Sequence, residues 1–273
     1  MSVFENMVLR YEGDTRISSR NALYEVMQQI ALAGLHRGGF FEKGAFYGGT
    51  CLRIFQGLNR FSEDMDFSLL QEDASFHFES YFPSIIDEFA ACGRKVEISK
   101  KNKNTFGKVE SAFLKDNTDV YDVSFQTEKS IKIKIEVDTQ PPLHFTTEQK
   151  LLLLPYSFMT RCYSLPDLFA GKMHALLFRN WKNRVKGRDW YDFEWYVRNG
   201  VKLDFTHFQE RALQFNGKQM DKTNFLNALR EKMANTDISL VKADVEDFII
   251  DKREMDIWSN DYFLQLSDRV QFL

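Results

Sequence analysis

The chain has 273 residues, 44% of them hydrophobic and 27% charged, a balance that excludes a disordered polymer and suffices for one substantial core or two modest ones. A formal net charge of -3 excludes a chain-wide pull toward nucleic acid, so such a partner must be met by a local patch. No run approaches the ~18 apolar residues that a membrane span needs, and Cys51, Cys92 and Cys162 show neither a disulfide framework nor zinc spacing.

The N-terminus lacks a basic start followed by a long apolar core, so no secretory signal is expected and the cytoplasm is the expected compartment. Ser18-Ser19 caps a predicted helix whose Leu23, Val26, Met27, Ile30 and Ala31 make one apolar stripe, ending near Gly34 or Gly38-Gly39. Residues 44–70 then read as strand, turn, helix and strand. Gly48-Gly49 lets the backbone approach a ligand with no Cβ in the way, and Thr50 opens a short helix whose first N–H groups suit a phosphate. Further on, Met65, Phe67 and Leu69 alternate with Asp64, Asp66 and Ser68, so Asp64 and Asp66 leave one face of a strand. Two carboxylates about 7 Å apart repel unless cations sit beside them, and hard divalent metals take such ligands.

Residues 84–91 read as a helix closed by Gly93, and period-two alternation follows at 96–98, 121–125 and 131–138. In the last of these Ile131, Ile133, Ile135 and Val137 form one face and Lys132, Lys134, Glu136 and Asp138 the other. If this strand lies beside 64–70, Glu136 or Asp138 supplies a third acid; a solvated charged face is the competing reading. Asp138 also suits the start of the turn at Thr139-Gln140-Pro141-Pro142, after which a polar loop is expected. A strand at 158–163 and a capping box at Ser164-Leu165-Pro166-Asp167 come next, the latter opening a helix that carries Lys172 and Arg179 on one face. Arg179, Lys182, Arg184, Lys186 and Arg188 make a basic loop, suited either to a polyanion or to plain solvation. Asp189, Asp192, Phe193 and Tyr196 are expected on one face of the helix after it, with Arg188-Asp189 read as an ion pair at its start. Amphipathic helices near 205–215, 222–234, 240–250 and 255–272 complete the chain. The 26 phenylalanines read as core filling, and no histidine pair, serine nucleophile or P-loop motif occurs.

Gly48-Gly49-Thr50, the run Arg60-Phe61-Ser62-Glu63-Asp64-Met65-Asp66-Phe67, and the stretch Lys172 to Asp192 together resemble the AbiEii/AbiGii-type nucleotidyltransferase toxins of the DNA polymerase β-like nucleotidyltransferase superfamily, over roughly residues 18–198. The resemblance implies an α+β fold with a mixed β-sheet and flanking helices. With the junction expected at the helix start after 163, the catalytic domain is expected over 1–163 and a mainly helical domain, read from its amphipathic pattern, over 164–273, where the resemblance makes Lys172 and Asp189 site residues, with Asp192 as the motif's second acid. It implies Mg²⁺, two ions by the two-metal scheme, on Asp64, Asp66 and Glu136, and an NTP triphosphate held by Gly48, Gly49, Thr50 and Lys172. Arg60 and Ser62 flank the acids and either touch phosphate or, for Arg60, pair with Glu63 at the surface. The implied activity is transfer of a nucleoside monophosphate to an acceptor such as the 3′ end of tRNA, by the toxin of a toxin–antitoxin or phage-defence pair with a cognate antitoxin. A non-catalytic nucleotide-, RNA- or partner-binding protein on the same fold, and a kinase-like phosphotransferase, are the competing functions.

Overall fold

The structure is a computed structural model and describes residues 1–12, 17–101, 118–126, 131–179 and 185–273. The chain divides into two compact units. The first holds residues 1–57, 61–141 and 147–162; the second holds 58–60, 142–146 and 163–273.

In the first unit, α1 (Val3–Leu9) and α2 (Ser19–Arg37) precede β1 (Gly44–Tyr47), α3 (Gly48–Gln56), β2 (Asp64–Leu69), α4 (Phe82–Ala91), β3 (Val96–Lys100), β4 (Thr118–Phe125), β5 (Lys132–Asp138), β6 (Thr147–Leu152) and β7 (Phe158–Tyr163). The strands form one mixed sheet in the order β3-β4-β5-β2-β1-β7-β6. β2 runs parallel to β5 and antiparallel to β1, and β4 runs antiparallel to β3 and β5. α2 starts where expected, the Ser18 hydroxyl accepting from the Asn21 N–H at 3.2 Å. It runs through Gly34 to Arg37, because a Cβ on Gly34 would meet the Ile85 Cα at 2.6 Å: this glycine serves the close approach of α4, not helix termination.

The core side of the sheet follows the alternation. Met65, Phe67, Ile133, Ile135 and Val137 are buried to the last few per cent. Phe40 is the hub of the aromatic packing, edge-on to Phe67, Phe78 and Tyr81 at 5.2, 5.8 and 5.4 Å between ring centres. Its ring lies where a Cβ on Gly44 would stand. The phenylalanines read as core filling include these.

The polar stretch after Pro141-Pro142, expected as loop, contains β6. It is an edge strand whose residues alternate between exposed and half-exposed, so no apolar period marks it in the sequence. α1 also went unforeseen; it is a short helix closed by a capping box between Ser2 and Glu5.

The second unit contains α5 (Leu165–Phe178), α6 (Gly187–Arg198), β8 (Lys202–Leu203), α7 (Phe205–Asn216), α8 (Lys222–Asn235), α9 (Ile238–Val245), α10 (Asn260–Ser267) and β9 (Gln271–Phe272). Phe205, Phe208, Phe225 and Phe272 pack together at its centre. The cap of α5 differs from the expected box: Ser164 makes no cap to the backbone, and its hydroxyl donates to Asp167, which also accepts from the Thr146 N–H and hydroxyl. The single helix expected over 255–272 is broken. Trp258 donates to Glu194 at 2.7 Å, Ser259 caps α10 through the Tyr262 N–H, and the chain ends in β9 beside β8. α6 is buried on nearly every side rather than on one face, since Trp190, Tyr191 and Trp195 are enclosed along with Asp189, Asp192, Phe193 and Tyr196.

Candidate active site

The register of β2 and β5 brings the predicted acids side by side. Asp66 is the Cα partner of Glu136 and Asp64 the partner of Lys134, so all four leave the polar face of two adjacent parallel strands. Across the other edge of β2, Asp66 pairs with Tyr47, the last residue before the glycine turn. Gly48 has φ +80°, and a Cβ there would stand 2.1 Å from Asp66 Oδ2. Only glycine lets the chain turn from β1 into α3 directly against that carboxylate. Glycine turn, paired aspartates and Glu136 thus converge within one unit.

One of the predicted side chains is used by the fold instead, and another is enclosed. Thr50 is fully buried, and its hydroxyl donates to the Asp64 carbonyl rather than standing free for a triphosphate. It braces the start of α3 against β2. Ser62 is buried, and its carbonyl and that of Glu63 accept from the buried Gln28 Nε2 at 2.8 and 3.2 Å. Gln28 went unnoticed in the sequence, because it lies beside the apolar stripe of α2 rather than on it. Asp138 is 4% exposed and its Oδ1 accepts from the Gln140 N–H, the turn contact that was the alternative to a metal role.

Lys134 was read only as part of a polar face, and the structure gives it a specific place. Its ammonium pairs with the Glu136 carboxylate. Burial works against its charge, but Glu136, Asp64 and Asp66 outweigh that and push its pKa up to about 12. Among the described residues no three His, Cys, Asp or Glu side chains stand as a ready-made metal cage. The donor chemistry still fits a hard divalent cation: carboxylate oxygens from neighbouring strand positions, with the Lys134 ammonium standing in for positive charge among them.

The second unit holds the other predicted residues in one buried ionic network. Lys172 Nζ lies 2.8 Å from Asp189 Oδ1 and 2.8 Å from Asp192 Oδ2. Arg60, expected on phosphate or on Glu63 at the surface, is 2% exposed and forks onto Asp192 through Nε and Nη2, both at 2.6 Å. Arg179 reaches Asp189 at 3.1 Å. Burial alone would raise the pKa of both aspartates, but Lys172 with Arg179 on Asp189, and Arg60 with Lys172 on Asp192, hold them below the usual carboxylate range. Three cations, Lys172, Arg60 and Arg179, thus gather on the two carboxylates. Arg188 does not pair with Asp189 as expected from its position; its guanidinium stacks on Phe248 at 4.2 Å. Lys182 and Arg184 of the basic loop lie outside the described residues. None of the described helices is long and apolar enough to cross a membrane.

Comparison with known proteins agrees with this architecture. The fold is similar to that of MenT4, a nucleotidyltransferase toxin from Mycobacterium tuberculosis H37Rv, at 16% identity and a TM-score of 0.60, covering 98% of this chain and 87% of that one. It is also similar to JHP933 from Helicobacter pylori, at 17% identity and a TM-score of 0.54, with 93% of this chain and 91% of that one covered. A putative nucleotidyltransferase from H. pylori gives 17% identity, a TM-score of 0.53 and coverages of 93% and 94%. No curated protein matches the sequence. Residues 30–265 match the family described as nucleotidyl transferase AbiEii toxin of type IV toxin–antitoxin systems, and the chain belongs to that nucleotidyltransferase family.

Proposed function

We propose that this toxin nucleotidyltransferase moves a nucleoside monophosphate from an NTP to an acceptor hydroxyl, with the 3′ end of tRNA as the acceptor, in the cytoplasm and under the control of a cognate antitoxin. The observation that carries the reading is the placement of the Asp66 carboxylate against Gly48 on one side and in register with Glu136 on the other. An anion as crowded with charge as a triphosphate needs backbone approach without side-chain bulk, and Gly48 and Gly49 supply it. Asp64, Asp66 and Glu136 would hold Mg²⁺. Bound there, the metal would offset charge on the attacking oxygen and on the departing pyrophosphate. Thr50 and Gln28 keep the turn and the loop before β2 fixed, so the carboxylates need little reorganisation.

Lys172 and Asp189 are proposed as essential to the same reaction. Asp189 and Asp192 fix the lysine ammonium in one position, and Arg60 holds Asp192. A lysine ammonium held in this way suits a phosphate-bearing substrate. The remaining basic positions of 179–188 are proposed to add affinity for the RNA backbone without reading sequence.

The test is incubation of the protein with each of the four α-labelled NTPs and total RNA, with and without a chelator. Label is expected in the tRNA fraction, absent with chelator and absent with Asp64→Ala. Transfer of label from γ-labelled NTP to protein would instead establish the kinase-like reading. NTP binding that ignores Mg²⁺, without transfer, would establish the binder.

A further inference from the structure

The face that carries the acids also carries a lysine at its centre. Lys134 is the Cα partner of Asp64 on β2 and stands two residues before Glu136 on its own strand, with its ammonium on the Glu136 carboxylate. On its other side lies Asp122 of β4, its antiparallel partner. That aspartate already has two ammonium groups, Lys101 at 3.2 Å and Lys132 at 3.3 Å. Lys134 is therefore left to the acids of β2 and β5, and its side chain, 28% exposed, has Glu136 as its ion-pair partner. Three carboxylates on neighbouring strand positions repel one another, and an ammonium among them offsets part of that repulsion as a cation would.

We propose that Lys134 is the resident counter-ion of the acid face, a positioning residue that keeps Asp64, Asp66 and Glu136 together in the metal-free protein and competes with divalent cation for Glu136, so that metal affinity is set by how readily the lysine lets go. This rests on the metal-binding reading of those acids. It explains why the three carboxylates do not close into a ready cage among the described residues: one of them is turned to the lysine. It also makes the site selective for a cation that arrives with its own anion, since nucleotide phosphates give the displaced ammonium a new partner.

Mn²⁺ binding followed by the loss of the free-ion spin-resonance signal separates the outcomes, because it needs no turnover. Lys134→Met is expected to bind Mn²⁺ at least about tenfold more tightly than the wild type without nucleotide. Its thermal midpoint without metal should lie below that of the wild type, and should rise more on adding Mn²⁺. Lys134→Gln, which keeps a polar head but removes the charge, should bind Mn²⁺ more tightly in the same sense. Equal or weaker binding by both variants overturns the proposal while leaving the metal site standing. If the wild type and both variants bind no Mn²⁺ that Asp66→Asn removes, the metal reading itself fails and the proposal with it.

Discussion

At the scale of single residues, Gly48 and His207 show how much one position decides. Alanine at 48 would place a Cβ 2.1 Å from Asp66 Oδ2 and force an L-residue into φ +80°. Gly48→Ala should therefore lose at least about 100-fold in transfer rate through displacement of that carboxylate, while costing only about 1–3 kcal/mol of stability in urea unfolding. His207 is fully buried, with Nδ1 3.1 Å from the Leu143 carbonyl and Nε2 without a hydrogen-bond partner. Burial, and then the nearby Arg211 charge, push its pKa down to about 3. The folded form holds the ring neutral while the unfolded chain protonates near pH ~6.5. Its contribution to stability is thus complete above that value and is lost as pH falls toward 3, by about 1.4 kcal/mol per pH unit. Between pH 6 and 4, before the depressed aspartates protonate, a His207→Phe variant should remove that slope. The pairing of Asp64 with Asp66 on one strand face was readable from local alternation, whereas Lys172 stood out only through the family resemblance. The partner of Arg60 was not, since Asp192 lies 132 residues away and a surface pair with Glu63 was the nearer choice.

At the scale of elements, periodicity was a reliable guide wherever one face met the core. β2 and β5 were legible because Met65, Phe67, Ile133 and Ile135 alternate with charged residues and are buried as the pattern requires. β6 was hidden because an edge strand with both faces half-exposed has no apolar period. The end of the chain misled for a different reason: Ser259 and Trp258 interrupt an amphipathic run with side-chain hydrogen bonds that a helical period does not reveal. Of the two stops offered for α2, Gly38 is the cap and Gly34 is a contact. Gly34→Ala would drive a Cβ to 2.6 Å from the Ile85 Cα, a backbone atom that cannot rotate away. The expected cost is about 1–3 kcal/mol despite alanine's better helix propensity, read as a lower denaturant midpoint with an unchanged slope.

At the scale of the whole molecule, the division into a sheet unit and a helical unit is not a cut in the chain. Residues 58–60 and 142–146 belong with the helical unit, where Arg60 forks onto Asp192 and Thr146 donates to Asp167. A fragment of residues 163–273 should therefore fail to melt cooperatively, because it leaves Asp192 buried without its guanidinium. A sharp thermal transition by circular dichroism would contradict that. A boundary near 163 was expected from Ser164 and Pro166, although Ser164 makes no backbone cap; the two crossover segments were not foreseen, because their partners lie far along the chain. The central claim is that Asp66, seated against the glycine turn, serves nucleotidyl transfer. Its most direct test is the wild type beside Asp66→Asn, each given α-labelled and γ-labelled NTP with purified tRNA. The account predicts α-label on tRNA from the wild type alone, with the γ-label released as pyrophosphate and none on tRNA or protein; equal α-transfer by both proteins, or none by either with every NTP, would contradict it.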